Sequence, residues 1–308
     1  MVSVIMCVYN TRPIVQKCVE ACIKTLAPCH QEWELLLVNN HSTDKDTLKY
    51  LSELRQKPTM PCRFIVLDPG KNLGCHNGWN FGLQHCCANN HDFVVKLDDD
   101  TVMLTPKWAD IMSRALELVP GCAFVSSDID AKQEQDYETR TFAGGVELEV
   151  ATQNIVGFSC VMFRYKWVKL VGPMRARGFR AANGIVTKSD DSLYGGEEGY
   201  YRNIAMLRGE MIAHIPAVKA HHCDNDERDQ LYVLWKFFCS LGWIEHGVDT
   251  VAWRESGQWK IDCEKAIADH EAGKLPPGSD GYIGIATEGL AAWKEQQDGT
   301  PDQETSVV

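Results

Sequence analysis

From Val2 to Ser126 short apolar runs alternate with amphipathic segments, and that order restricts the chain to few architectures. Strand-like runs fall at Val2–Val8, Leu35–Val38, Phe64–Leu67, Val94–Leu97 and Ala123–Ser126. They are rich in Val, Leu and Ile and too short for helices, which suits strands buried on both faces. The first intervening helix carries Ile14, Cys18, Cys22 and Leu26 and stops near Pro28. The second takes Asp44 as N-cap and sets Leu48, Leu51 and Leu54 on one face. A third holds Trp79, Leu83 and Cys86. The fourth is expected to use Thr105 as N-cap and Pro106 as its first residue, with Trp108, Ile111, Met112 and Ala115 inward and Pro120-Gly121 as its stop. The tryptophans on these faces read as core. Strand–helix alternation predicts an α/β fold, a mostly parallel Rossmann-like sheet flanked by helices. Right-handed crossovers then bring the strand C-termini to one edge. The residues there are Asn10, Asn39-Asn40, Asp68 and Asp98–Asp100, all polar and all able to line one crevice.

Beyond Asp128 the regularity breaks down. Asp128 to Val150 is polar and irregular, Val156–Phe163 reads as a strand, and Lys166-Trp167 begin a helix. Pro173 to Gly196 is a long loop with Arg175, Arg177 and Arg180, of a length that serves as a lid or stays disordered. A helix opens near Glu197-Glu198. A short strand from Ile212 ends at His221-His222, and Pro216 within it predicts an edge position, because proline brings no N–H to a ladder. The organisation expected is a Rossmann-like half over 1–104, a second half of the same domain over 105–225 that forms a mixed subdomain, a helical C-terminal extension over 226–296 and a disordered tail over 297–308.

Composition excludes several function classes. With 308 residues, 44% hydrophobic and 24% charged, the chain has the make-up of a soluble globular protein. No stretch approaches the ~20 apolar residues of a membrane span. The N-terminal run lacks a basic leader, so the reading is cytoplasmic with no integral membrane segment. Thirteen cysteines form no CxxC pair, so neither a zinc ribbon nor a disulfide framework is evident, and buried free thiols are expected. A net charge of −11 weighs against nucleic acid as a partner. It also implies that a phosphorylated ligand arrives with a cation.

Asp98-Asp99-Asp100 end an apolar strand abruptly. Carboxylates spaced i, i+2 at a sheet edge can hold one hard cation and leave positions open for phosphate oxygens. Alone, such a triplet is more often a solvated turn.

Its neighbours change that balance. Ser3–Asn10 come first, then Leu36–Asp44, then Asn72-Leu73-Gly74 with Asn77 and Asn80, then Leu97–Asp100, Gly196-Glu197-Glu198 with Arg202, and His221-His222. This order resembles the GT-A-fold glycosyltransferases, specifically the large inverting family 2, over roughly residues 2–224. The resemblance implies a metal-dependent hexosyltransferase that moves a sugar from a nucleoside-diphosphate sugar to an acceptor hydroxyl with inversion. Asp98 and Asp100 look like its DxD pair, Asp100 on Mn²⁺ or Mg²⁺ and Asp98 on the ribose or a metal-bound water. Asp99, the middle residue, is expected to be set by backbone geometry. Glu198 matches the carboxylate that deprotonates the acceptor, with Glu197 as fallback. One of His221 and His222 is a third metal ligand, His222 favoured, because adjacent strand residues face opposite ways. An imidazole suits Mn²⁺ better than Mg²⁺. Zinc through Cys223 and His214 is disfavoured, since no second cysteine stands at ligand spacing.

The chain departs from the family pattern at Asn39, where similar enzymes have Asp. An amide both accepts and donates, which matches the adjacent N–H and C=O of uracil and favours a UDP-sugar. Asn10, Asp68, Asn72 and Asn77 are further candidates for the nucleotide pocket, and Arg202 joins them. The acceptor is left open among a glycan, a lipid-linked sugar, a small molecule and a modified nucleobase. Two alternatives stand at this point, a retaining transferase on the same fold and a catalytically inactive nucleotide-sugar-binding protein. A nucleotidyltransferase would want a glycine-rich, lysine-bearing loop where Asn10-Thr11-Arg12-Pro13 stands.

Overall fold

A computed structural model describes residues 1–10, 12–56, 63–89, 91–129, 137–152, 158–175, 197–223, 230–244 and 250–298. The chain divides into two compact units, Met1–Asp224 and Asn225–Val308.

The first unit opens with β1 (Val2–Val8), α1 (Arg12–Leu26), β2 (Trp33–Asn39), α2 (Lys45–Gln56), β3 (Arg63–Leu67), α3 (Gly74–Asn89) and β4 (Phe93–Asp98). Then come β5 (Thr101–Met103), α4 (Trp108–Leu118), β6 (Cys122–Ile129), β7 (Tyr137–Thr141), β8 (Glu147–Ala151), β9 (Cys160–Arg164), α5 (Tyr165–Val171), α6 (Glu197–Leu207) and β10 (Met211–His222). All ten strands share one sheet in the order β3-β2-β1-β4-β9-β6-β10-β8-β7, with β5 on β10. The half from β3 to β4 is parallel, β9 runs antiparallel to β4 and β6, and β10 is parallel to β6 but antiparallel to β5 and β8. The sheet is therefore mixed, with parallel pairing concentrated at the N-terminal half.

Both faces are covered, which is why β1 and β2 are buried almost throughout and, apart from Ser3, Glu34 and the terminal Asn39, apolar. Val4, Met6, Leu35 and Leu37 pack with Cys18, Cys22 and Leu26 of α1, Leu51 and Leu54 of α2, and Trp108 and Met112 of α4. On the opposite face Ile5, Leu36, Val38 and Val94 pack with Trp79 and Leu83 of α3, Trp167 of α5 and Tyr201 of α6. Each such side chain contributes about 1.5–3 kcal/mol by leaving water. Two glycines bring α3 onto β1. A Cβ at Gly82 would stand 2.5 Å from Ile5 Cγ2, and one at Gly78 3.0 Å from Cys7 Sγ.

Strands β1 to β4 and β6 and the first three helices lie where the periodicity puts them, and four expectations need correction. Leu48 is 39% exposed, and the buried face of α2 is Thr47, Tyr50, Leu51 and Leu54. Asp44 does cap α2, accepting from Thr47 N at 2.8 Å. The fourth helix starts at Trp108 after Lys107 in the left-handed region, without a side-chain cap. Thr105 is engaged elsewhere: its hydroxyl accepts from Lys219 N at 2.8 Å and donates to Ala217 O at 3.3 Å. The stretch from Asp128 to Val150 contains the β7–β8 hairpin. Finally, β10 is interior, between β6 and β8. Pro216 is tolerated because the ladder to β6 jumps from Ile215↔Ser127 to Lys219↔Asp128, so the missing N–H falls in a bulge.

The second unit is helical in its described part: α7 (Gln230–Ser240), α8 (Thr250–Glu255), α9 (Gln258–Glu271) and α10 (Asp280–Asp298). Its core is aromatic. Phe238 stacks on Trp243 and meets Trp253 edge-on, and Phe237 stacks on Tyr282 at 4.2 Å between centroids. Trp253 Nε1 donates to the buried Asp262 at 2.7 Å. No described helix is long and apolar enough to cross a membrane. The described cysteines are free thiols. The expected tail over 297–308 lies, but for its first two residues, outside the described residues.

Candidate active site

The registers Val8↔Asn39, Val38↔Leu67 and Cys7↔Asp98 align the C-terminal ends of β1 to β4. The polar residues that follow meet at that edge. Asn10 adopts a left-handed φ of 55°, tolerable for an asparagine. Its side-chain Oδ1 accepts from Thr43 N and Asp44 N at 2.9 and 3.0 Å, and its backbone N–H donates to Ser42 Oγ at 3.0 Å. Asn39 accepts from Ser42 N at 3.0 Å and donates through Nδ2 to Asp68 Oδ2 at 3.2 Å. Asn40 donates to Gly74 O and accepts from Leu73 N, while Asn72 Oδ1 accepts from Gly74 N. The asparagines expected at a nucleotide pocket thus tie the three crossover loops together. Asn39 retains a lone pair and an N–H beyond these bonds. Asn77 is half-buried in the first turn of α3.

Each of the three aspartates has a different environment. Asp98 is paired by the buried Lys96 ammonium, which also sits 3.1 Å from Phe158 O. Asp99 Oδ2 accepts from Tyr9 N at 3.2 Å. Asp100 O accepts from Cys223 N at 2.8 Å, and Asp100 Oδ1 lies 3.3 Å from His222 Nε2. The last contact follows from pairing: β5 returns antiparallel along β10, Thr101 opposite His222 and Val102 opposite His221. Strand alternation then turns the two histidines to opposite faces. Beneath this loop burial pushes the Cys18 thiol far up, and Cys223, Asp99 and Asp100 act in the same direction.

The donor set at Asp100 and His222 fits a divalent cation. Ligand atoms about 2.1 Å from one ion stand roughly 3 Å apart, close to the spacing found. One carboxylate and one imidazole also match a borderline metal.

Glu197 and Glu198 open α6, but their side chains lie outside the described residues. Arg202 is half-buried one turn further on. Tyr201 anchors this helix: its ring meets Trp79, Phe163 and Trp167, and its hydroxyl donates to Gly172 O at 2.9 Å. Asn80 holds the start of the arginine-bearing segment with two bonds to the Met174 backbone, at 2.8 and 2.9 Å. Arg175 there is exposed, and Arg177 and Arg180 fall outside the described residues. The sequence reading missed Lys96, Tyr9 and Ser42. Lys96 had a signal, since i, i+2 spacing in a strand sets it on the same face as Asp98.

Residues 3–183 match the family described as Glycosyl transferase family 2. No curated protein matches the chain. Among solved structures, GalNAc-T7 with UDP, GalNAc and Mn²⁺ is similar with a TM-score of 0.53 at 12% identity, over 72% of this chain and 43% of that one. The chain thus corresponds to less than half of GalNAc-T7. The mannosyltransferase PcManGT from Pyrobaculum calidifontis, in complex with GDP-Man and Mn²⁺, has a TM-score of 0.51 at 14% identity, over 97% and 88%. S. aureus TarS 1–349 in complex with UDP-GlcNAc has a TM-score of 0.50 at 14% identity, over 94% and 80%. At such identities the likeness is one of fold.

Proposed function

The chain belongs to glycosyl transferase family 2, and from that membership we propose that it moves a sugar from a UDP-sugar to an acceptor hydroxyl with inversion at the anomeric carbon. The observation that carries the reading is the 3.3 Å approach of His222 Nε2 to Asp100 Oδ1 at the end of the parallel strands. These two side chains would hold Mn²⁺, or Mg²⁺ less readily, and the ion would offset the charge of the diphosphate leaving group. The Mn²⁺ named with GalNAc-T7 and PcManGT supports that assignment.

Lys96 offsets the charge of Asp98 and leaves that carboxylate to accept from the ribose. Asp68 orients the Asn39 amide, whose remaining N–H and lone pair match the uracil edge. UDP with GalNAc-T7 and UDP-GlcNAc with TarS agree with this choice, while GDP-Man with PcManGT is the competing donor type. Asn10 and Asn72 shape the loops, and Asn77 and Arg202 supply donors towards the diphosphate. Tyr9 holds Asp99 out of the metal set. Glu198, or Glu197 in its place, takes the proton of the acceptor hydroxyl. The acceptor oxygen then bonds to the anomeric carbon as the bond from that carbon to the diphosphate breaks, and nucleoside diphosphate leaves. Free buried thiols suit a reducing, cytoplasmic setting.

A thermal-shift screen of nucleotide-sugars with and without Mn²⁺ tests the donor, because ligands that bind the folded state raise its stability. UDP-sugars should stabilise wild type only with the metal, and Asp100→Ala should lose the effect. Equal UDP binding by both proteins with and without Mn²⁺ would overturn the metal assignment. The anomeric configuration of the product separates inversion from retention.

A further inference from the structure

A second cluster lies at the other end of the strands. Glu34 near the start of β2, Cys86 late in α3 and His91 just before β4 are all buried, and one ligand atom of each lies within 4.8 Å of the others. Glu34 is five residues before Asn39 on the same strand, roughly 16 Å from the aspartate edge. His85, beside Cys86 in α3, brings its Nε2 to 3.9 Å from Glu34 Oε2 and is partly exposed.

The hydrogen bonds fix the protons. Ser3 Oγ donates to Glu34 Oε1 at 2.8 Å, and the same oxygen lies 2.8 Å from His91 Nδ1. A hydroxyl has one proton, so Ser3 must accept from His91 Nδ1–H. In the neutral ring Nε2 is then a bare lone pair. It lies 3.3 Å from Glu34 Oε1, yet among the described residues neither His91 Nε2 nor Glu34 Oε2 has a hydrogen-bond partner. A lone pair facing a carboxylate in a dry interior is repulsive unless a positive charge stands between them. A proton on His91 is one candidate. Burial pushes the His91 pKa down, against that choice, although Glu34 pulls it up.

We propose that Glu34, Cys86 and His91, completed by His85, form a structural zinc site. A thiolate with imidazole ligands selects zinc over the hard cations that suit Asp100. Zn²⁺ with one carboxylate and one thiolate is also neutral overall, as a buried site requires. Ser3 is the outer partner that holds the His91 ring and its tautomer. The ion joins β2, α3 and the approach to β4, so its binding adds to the stability of the fold.

Co²⁺ and Zn²⁺ added to the demetallated full-length chain provide the test. One equivalent of Co²⁺ should give a thiolate-to-cobalt charge-transfer band that Zn²⁺ abolishes. Cys86→Ser should lose the band, and Asp100→Ala should keep it. Ser3→Ala should lower Zn²⁺ affinity by about 10–100-fold. A folded wild type without the band, or a band that survives Cys86→Ser, overturns the site and leaves a protonated His91 between the two groups. If Cys86→Ser does not fold, Ser3→Ala decides, and an unchanged Zn²⁺ affinity there overturns the proposal.

Discussion

His222 Nε2 stands 3.3 Å from Asp100 Oδ1 although 121 residues separate them in the chain, because β5 doubles back from the aspartates and lies along the end of β10. Three residues, Thr101–Met103, make that junction. It brings an imidazole from a distant strand to a carboxylate-rich loop, and it distinguishes two adjacent histidines by face.

His222→Ala should therefore weaken Mn²⁺ binding by at least the ~10–100-fold that even outer-shell changes cause, and His221→Ala much less. Isothermal titration with Mn²⁺ in the presence of UDP reads both. Equal losses in the two variants would remove the distinction.

Asn39→Asp should set two carboxylates against each other where Nδ2 now donates to Asp68 at 3.2 Å. Like charges at that distance cannot both ionise freely. UDP affinity should fall at pH 7.5, and adding Asp68→Asn should recover much of it. Failure of the double variant to recover would show that the pair acts through something other than its hydrogen bond.

Lys96→Met removes the cation from beside Asp98 within the sheet. Loss of a charged partner costs about 1–3 kcal/mol. The urea midpoint should drop accordingly, and Lys96→Met with Asp98→Asn should restore most of the stability without restoring UDP binding.

Gly82→Ala should destabilise despite the better helix propensity of alanine. The gain is about 1 kcal/mol, whereas overpacking against Ile5, with 2.5 Å to its Cγ2, costs about 1–3 kcal/mol. Thermal unfolding should show a lower midpoint for Gly82→Ala, and a higher one for Gly284→Ala in α10, where no atom of the described residues lies within 4 Å and only the propensity gain remains.

Burial pushes the thiols of Cys122, Cys160 and Cys263 up to about 12. At pH 8 only about one in ten thousand of each is thiolate, so alkylation should wait for unfolding. The linkage has a definite sign. The folded chain keeps protons that the unfolded chain releases above about pH 8.5, so these groups contribute stability below that pH and lose it as the pH rises towards 12. Denaturation midpoints at pH 7.5 and 10 should fall in that order.

Strands β1 to β4 and β6 and the first three helices were legible because burial on both faces writes itself as short, mainly apolar runs. The polar edge was legible because four strand ends, those of β1 to β4, lead into Asn and Asp residues. What escaped was pairing between distant segments. Pro216 argued for an edge since nothing local announces a bulge, and Thr105 looked like a cap when its hydroxyl serves β10. The asparagines looked like ligand contacts, yet most of their amides hold loops in place, a use invisible without the neighbouring backbone. Glu34, Cys86 and His91 share no local spacing, so only the packing of α3 on β2 unites them.

The bulge at Pro216 has a consequence for how such a site can change. Between Ile215 and Lys219 the strand advances four positions while β6 advances one, and Thr105 clamps the slack at Ala217 and Lys219. Everything downstream is indexed by that slack. Inserting a single residue there would bring His221, in place of His222, opposite Thr101 beside the aspartates, with no substitution at either histidine. The register that sets His222 beside Asp100 is in effect fixed at a proline several residues away, where length counts for more than identity.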